Sequence, residues 1–172
     1  MKYAIAPTAV ERKLREDDFI VSKADLQGHI TYGNRSFIEF SGYSEKELIG
    51  VQHNMIRHPD MPRAVFQHLW DSIQAGQECF AYVKNLAKDG SYYWALANVT
   101  PSYDHKRRVI GYFSVRRKPQ DEGVRYFGDL YRTMLAAEQR AGPQAAIAAS
   151  TRILDALLAE RGATYDQFVL SF

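Results

Sequence analysis

Three β-rich runs follow one another in the middle of this chain, 79–86, 92–100 and 109–117, and Lys88-Asp89-Gly90 joins the first two. An Asp-Gly step favours the left-handed backbone of a tight turn, so the junction reads as a hairpin. Strands joined this way lie antiparallel. Two further runs, Phe19-Ile20-Val21 and Ile30-Thr31-Tyr32, flank Asp25-Leu26-Gln27-Gly28 and make a second hairpin. The segment between the hairpins has helical periodicity. Strand, strand, helices, then three strands predicts an α+β domain: a five-stranded antiparallel sheet with helices on one face and a cavity between them.

The helical segment divides at its own punctuation. Short helices are expected at 35–40 and 44–49, separated by Ser41-Gly42-Tyr43 and closed by Gly50; Ser44 and Glu47 have capping-box spacing. A longer helix follows Pro62, which suits a helix start because its missing N–H would be unpaired there. Val65, Phe66, Leu69, Trp70 and Ile73 share one of its faces, and Gly76 ends it. Residues 1–18, where Val10 and Leu14 stand one helical turn apart, predict a helical cap. Past residue 118, Val124, Phe127, Tyr131 and Met134 alternate spacings of three and four, as in a helix seam. After Gly142-Pro143 a second helix is expected over 145–160, and the apolar tail 165–172 reads as a docking element. The chain therefore divides into a cap (1–18), a core domain (19–118) and a helical extension (119–172) for homodimerisation or partner docking.

Composition narrows the class. With 172 residues, 46% of them hydrophobic and 24% charged, the chain has the makings of one globular domain. Its aromatic share of 13% comes mostly from 11 Tyr and 9 Phe, residues that fill cores or line pockets for flat ligands. A net charge of +2 with signs interspersed gives no field for nucleic acid. The single cysteine, Cys79, excludes an internal disulfide and fits a reducing cytoplasm. No run approaches the ~20 apolar residues that span a bilayer, so membrane contact is expected only through a partner. No Gly-rich nucleotide turn and no acid–base or nucleophile constellation is visible, so no enzyme activity is expected.

Tyr32-Gly33-Asn34 with Phe37, then Ser41-Gly42-Tyr43-Ser44, Glu47-Leu48-Ile49-Gly50, and Lys88-Asp89-Gly90 followed by Tyr93-Trp94, together resemble PAS domains over about residues 19–118. A narrower resemblance lies in the decapeptide His53-Asn54-Met55-Ile56-Arg57-His58-Pro59-Asp60-Met61-Pro62, with Trp70 and Lys84-Asn85 downstream. It is similar to the PAS domain of bacterial aerotaxis receptors, which hold FAD and report redox state to the chemotaxis kinase.

That resemblance implies FAD here, with Arg57, His58, Asp60, Trp70 and Asn85 as cofactor residues. Asn34, a helix-cap or ligand residue, is added with Tyr93 and Arg116, the last standing near the strand glutamine of the light-sensing flavin branch. The chemistry suits the assignment. Arg57 can pair bidentately with a phosphate, and His58 can donate to it. Trp70 offers a stacking face, and Asn85 both a donor and an acceptor for a ring edge. His53 stands where the light-sensing branch has its adduct-forming cysteine, so adduct photochemistry is not expected.

The implied activity is redox sensing: a change in flavin charge alters hydrogen bonds to Asn85 and Arg116, and the flanking helices carry the bias to a membrane-bound chemoreceptor-type partner in trans. FMN in place of FAD, a haem ligated by His53, His58 or His68, and a cofactor-free dimerising adaptor are the alternatives.

Overall fold

Gly90 takes the left-handed φ of +86° that the hairpin demands. On either side of it β3 (Cys79–Leu86) and β4 (Tyr92–Tyr103) pair antiparallel, with Cys79 opposite Val99 and Leu86 opposite Tyr92. β5 (Val109–Arg117) adds to β4, and β1 (Ile20–Ala24) adds to β5 before β2 (Ile30–Gly33) closes the row. The five strands run β2-β1-β5-β4-β3, all antiparallel, in a computed structural model that describes residues 5–172. Strand alternation gives the sheet two distinct faces. Ile20, Ser22, Asn85, Tyr93, Ala97, Val99, Ser114 and Arg116 share the inner face, and Tyr82, Trp94 and Val115 the outer one.

The inner face is covered by α1 (Arg35–Ser41), α2 (Glu45–Leu48), a single 3₁₀ turn His53–Ile56, and α3 (Arg63–Gln74). Asn34 caps α1 through its Oδ1, and Glu47 reaches back to the Ser44 N–H at 2.9 Å. α3 starts at Pro62 without a side-chain cap of its own and without an acid in its first turn.

The outer face and the free edge of β3 are covered by α4 (Asp121–Ala141) and α6 (Tyr165–Val169), and α5 (Ala146–Arg161) packs against α4 and α3. Phe127 stacks on Tyr82 with centroids 4.7 Å apart, Tyr131 on Trp94 at 6.1 Å, and Phe168 and Phe172 close around Phe127. The seam of Phe127, Tyr131 and Met134 is therefore buried within one chain. It leaves that stripe nothing to offer a second copy.

An edge strand needs its outward backbone groups satisfied. On β3, Asp166 Oδ1 accepts from the Phe80 N–H (2.9 Å), the Tyr131 hydroxyl donates to the Tyr82 carbonyl (2.8 Å), and the His58 N–H donates to the Lys84 carbonyl (3.3 Å).

The expected N-terminal helix is not present among the described residues, and residues 1–4 lie outside them. Residues 5–18 form an extended strap. Thr8 N–H donates to the Gly90 carbonyl and Arg12 N–H to the Tyr92 carbonyl, each at 2.8 Å, while Tyr92 N–H donates to Val10. Pairing with the start of β4 satisfies this backbone, and it outweighs the weak helical periodicity of Val10 and Leu14. Arg12 also donates to the carbonyls of Glu39 and Phe40 at the α1 C-terminus, where a cation is favoured.

Candidate functional site

A cavity of about 150 Å³ lies between the inner face of the sheet and α3. Its walls are largely apolar, with Leu69, Trp70 and Ile73 of α3 facing Val83, Ala97 and Val99. Trp70 stands edge-on to Tyr112, centroids 5.6 Å apart at 87°. Gly28 makes room for it: a Cβ there would come within 2.9 Å of the indole, and its φ of +84° suits glycine.

Buried donors border this apolar space. Arg116 projects inward from β5 and is 2% exposed; its guanidinium lies over the Phe37 ring at 4.6 Å. Nη2 donates to Ser22 Oγ at 2.6 Å, while Nε and Nη1 have no partner among the described residues. Burial depresses the Arg116 pKa, but a guanidinium stays protonated, so a cation stands here with no carboxylate against it among the described residues. Asn85, 6% exposed on β3, leaves its Nδ2 unpaired. Buried donors without partners are costly, and here they border the same cavity.

His53, from the 3₁₀ turn, places Nε2 2.9 Å from Ser22 Oγ and stacks on Phe37. Ser22 Oγ accepts from Arg116 and keeps its own proton to donate to His53 Nε2 when that nitrogen is unprotonated. Burial and the nearby Arg116 charge hold its pKa down at about 3, so the imidazole is neutral. Arg57 lines the mouth of the cavity; it lies over the Phe66 ring at 4.2 Å and donates to the Met61 carbonyl at 2.7 Å.

The sequence-derived candidates thus separate. Arg57, Trp70, Asn85 and Arg116 meet at the cavity, whereas Asn34, His58, Asp60 and Tyr93 do not line it. Asn34 is fully used as a cap: Oδ1 accepts from Val21 and Phe37, and Nδ2 donates to Phe19. Tyr93 is buried in the core against Phe40.

His58 and Asp60 are turned away by strand geometry. Arg57 bridges Asn85 antiparallel, so the next residue points to the opposite side. There His58 meets the Tyr92 ring edge and accepts from the Asp60 N–H through Nδ1, and Asp60 pairs with Lys84 Nζ at 2.6 Å. Burial, aided by Lys84, lowers the His58 pKa to about 4. Neither His58 nor Asp60, both expected as cofactor residues, faces the cavity in this fold.

Ser22 and Gly28 escaped the sequence reading. Ser22 carried a signal, as the one polar residue among Ile20, Ser22 and Ala24 on the inward side of β1.

Chemically, the arrangement suits a flat apolar ligand with an acceptor-rich or anionic edge. Cys79 lies outside the cavity, and burial pushes its thiol up to about 12, so it is no nucleophile. Among the described residues no group of three or more His, Cys, Asp or Glu is placed to hold a metal, and no helix is long and apolar enough to cross a membrane.

The chain is 39% identical over 123 residues to the aerotaxis receptor of Escherichia coli (strain K12), a match covering 72% of this chain and 24% of the receptor. It thus spans about a quarter of that relative's length. Among solved structures it superposes on the light-state Aureochrome1 LOV photoreceptor with a TM-score of 0.56 at 22% identity, covering 69% of this chain and 90% of the other. The LOV domain of a blue-light activated histidine kinase from Erythrobacter litoralis EL346 gives a TM-score of 0.54 at 19% identity, covering 58% and 94%. Residues 30–116, which carry Arg57, Trp70, Asn85 and Arg116, match the model of the PAS fold, and the chain belongs to that family.

Proposed function

We propose that this chain binds a flavin, as FAD, in the cavity beneath Trp70 and reports its redox state to a separate signalling protein. The observation that carries the reading is the set of buried donors, unpartnered among the described residues, that border one apolar cavity: two N–H groups of Arg116 and the amide of Asn85. A flavin ring is flat and apolar with a carbonyl-rich pyrimidine edge, which is what these donors lack. Arg57 at the mouth suits a phosphate, and the relation to an aerotaxis receptor supports FAD over FMN.

When bound, a flavin supplies a ring whose charge and protonation change on reduction. The chain's part is to hold the ring edge with Arg116 and Asn85, to present neutral His53 and Ser22 behind Arg116, and to exclude water with the α3 face. At about 150 Å³ the cavity is below the ~300–1,000 Å³ usual for ligand pockets, so seating a tricyclic ring requires the Trp70 wall to move outward. The relation to an aerotaxis receptor also supports chemoreceptor-type signalling as the output.

Purified protein is expected to be yellow, to bleach with dithionite, and to release FAD on denaturation, identified by chromatography against FMN. Titration of stripped protein with FAD should quench Trp70 fluorescence. A colourless preparation that takes up neither flavin defeats the proposal, and a Soret band would replace flavin by haem.

A further inference from the structure

Glu138 is a buried carboxylate near the end of α4, 7% exposed, and it reaches two other helices. Its Oε1 accepts from the Arg63 N–H at 2.7 Å and from the Ser150 hydroxyl at 2.6 Å. Arg63 is the first residue of α3, whose N-terminus has no cap from its own sequence, so a side chain 75 residues away supplies the anion that the helix dipole favours. Ser150 lies in α5 and is fully buried.

The same helix start is tied to the cavity from the other side. Arg57, which lines the mouth, donates to the Met61 carbonyl two residues before Arg63 and lies over Phe66 in the first turns of α3. Burial lowers the Arg57 pKa, and the negative charge of Glu138 offsets part of that lowering from beyond ion-pair distance. A continuous path therefore runs from Arg57 through Met61 and Arg63 to Glu138 and Ser150, joining the cavity mouth to the helical extension.

We propose that Glu138 is a positioning residue for the cavity: it holds Arg57 and the start of α3 in place, and through it α4 and α5 respond to what the cavity contains. The response rests on the flavin reading above; the Arg57–Glu138 link does not. Coupling of this kind is reciprocal, so an occupant that engages Arg57 also changes how firmly α4 and α5 are docked.

The test is a double-mutant cycle in the full chain, with Arg57→Ala, Glu138→Gln and the double variant. Glu138→Gln keeps an acceptor for the Arg63 N–H and the Ser150 hydroxyl but removes the charge. In urea unfolding of flavin-stripped protein, the product of the single effects on the unfolding constant should differ from the double's by threefold or more; additivity overturns the link. In FAD titrations Glu138→Gln should weaken binding at least threefold when Arg57 is present and leave it unchanged in the Arg57→Ala background. An equal loss in both backgrounds, or none in either, overturns the positioning role.

Asp166→Ala, which removes another polar tie of the same extension, should lower stability, combine additively with Arg57→Ala and leave FAD affinity unchanged. A change in FAD affinity as large as that of Glu138→Gln would reduce Glu138 to general packing and overturn the proposal. If wild-type protein takes up no FAD, the flavin reading and the response to it fall together, and the urea cycle alone decides the link.

Discussion

Arg116 reaches diagonally across the paired strands β5 and β1 to Ser22, with 2.6 Å between Nη2 and Oγ, and this is the one hydrogen bond the buried guanidinium makes among the described residues. A buried charge held by a neutral hydroxyl is poorly compensated, and an apolar side chain of similar volume is often better tolerated.

Arg116→Met is therefore expected to raise the stability of flavin-free protein by about 1–3 kcal/mol while lowering flavin content tenfold or more. Urea unfolding of stripped protein and the flavin-to-protein absorbance ratio read the two effects separately. Stability and flavin content falling together would mean that the guanidinium serves packing and not a ligand.

Acid should weaken the fold earlier than its carboxylates alone would make it. His53 and His58 titrate at about 3 and about 4 in the folded protein, against 6.5 in the unfolded chain. Between pH 6.5 and 4 the unfolded chain therefore binds protons that the folded one refuses, and stability rises with pH through this window and levels off above it. Burial lowers the His68 pKa too, which adds in the same direction. Each histidine can contribute a slope of up to about 1.4 kcal/mol per pH unit. Urea midpoints measured from pH 4.5 to 8 should show the rise, and His53→Asn should flatten it by about one histidine's share, whatever it does to absolute stability.

How much of this could be read in advance depended on the range of the interaction. Strands β3 and β4 follow from β-rich runs and a turn signal within a few residues, and the helix after Pro62 from its own apolar stripe. The strap at 5–18 could not, because what fixes its conformation is the backbone of Gly90 and Tyr92. Likewise the cap of α3 stands on α4. At the cavity, Arg57, Trp70 and Asn85 were named through the resemblance to aerotaxis-receptor PAS domains and Arg116 through the light-sensing branch, and all four line it. His58 and Asp60 were not separable from Arg57 until the Arg57–Asn85 bridge fixed which side each faces.

The edge of β3 offers a local test of the extension. Asp166→Ala leaves the Phe80 N–H without its acceptor and should cost about 1–3 kcal/mol, whereas Asp166→Asn, which keeps an acceptor oxygen, should cost less. Hydrogen exchange at the Phe80 amide is the direct readout: it should quicken in the alanine variant. Unchanged exchange there would mean that α6 covers the edge without the carboxylate's help.

Two glycines on α4 should respond in opposite directions to the same substitution. Alanine is favoured over glycine inside a helix by roughly 0.5–1 kcal/mol. At Gly128 the nearest neighbouring atom to an added Cβ is Trp94 Cζ2 at 4.0 Å, so Gly128→Ala should realise that gain. At Gly123 the added Cβ would fall within the end of the Tyr82 ring, which is itself stacked on Phe127. Tyr82 cannot withdraw without unstacking, so Gly123→Ala should destabilise by about 1–3 kcal/mol despite its better helix propensity. Thermal unfolding of the two variants decides it: the same sign of change in both would mean that α4 adjusts its distance from the sheet freely, and that the close approach at Gly123 is not what seats the extension on Tyr82.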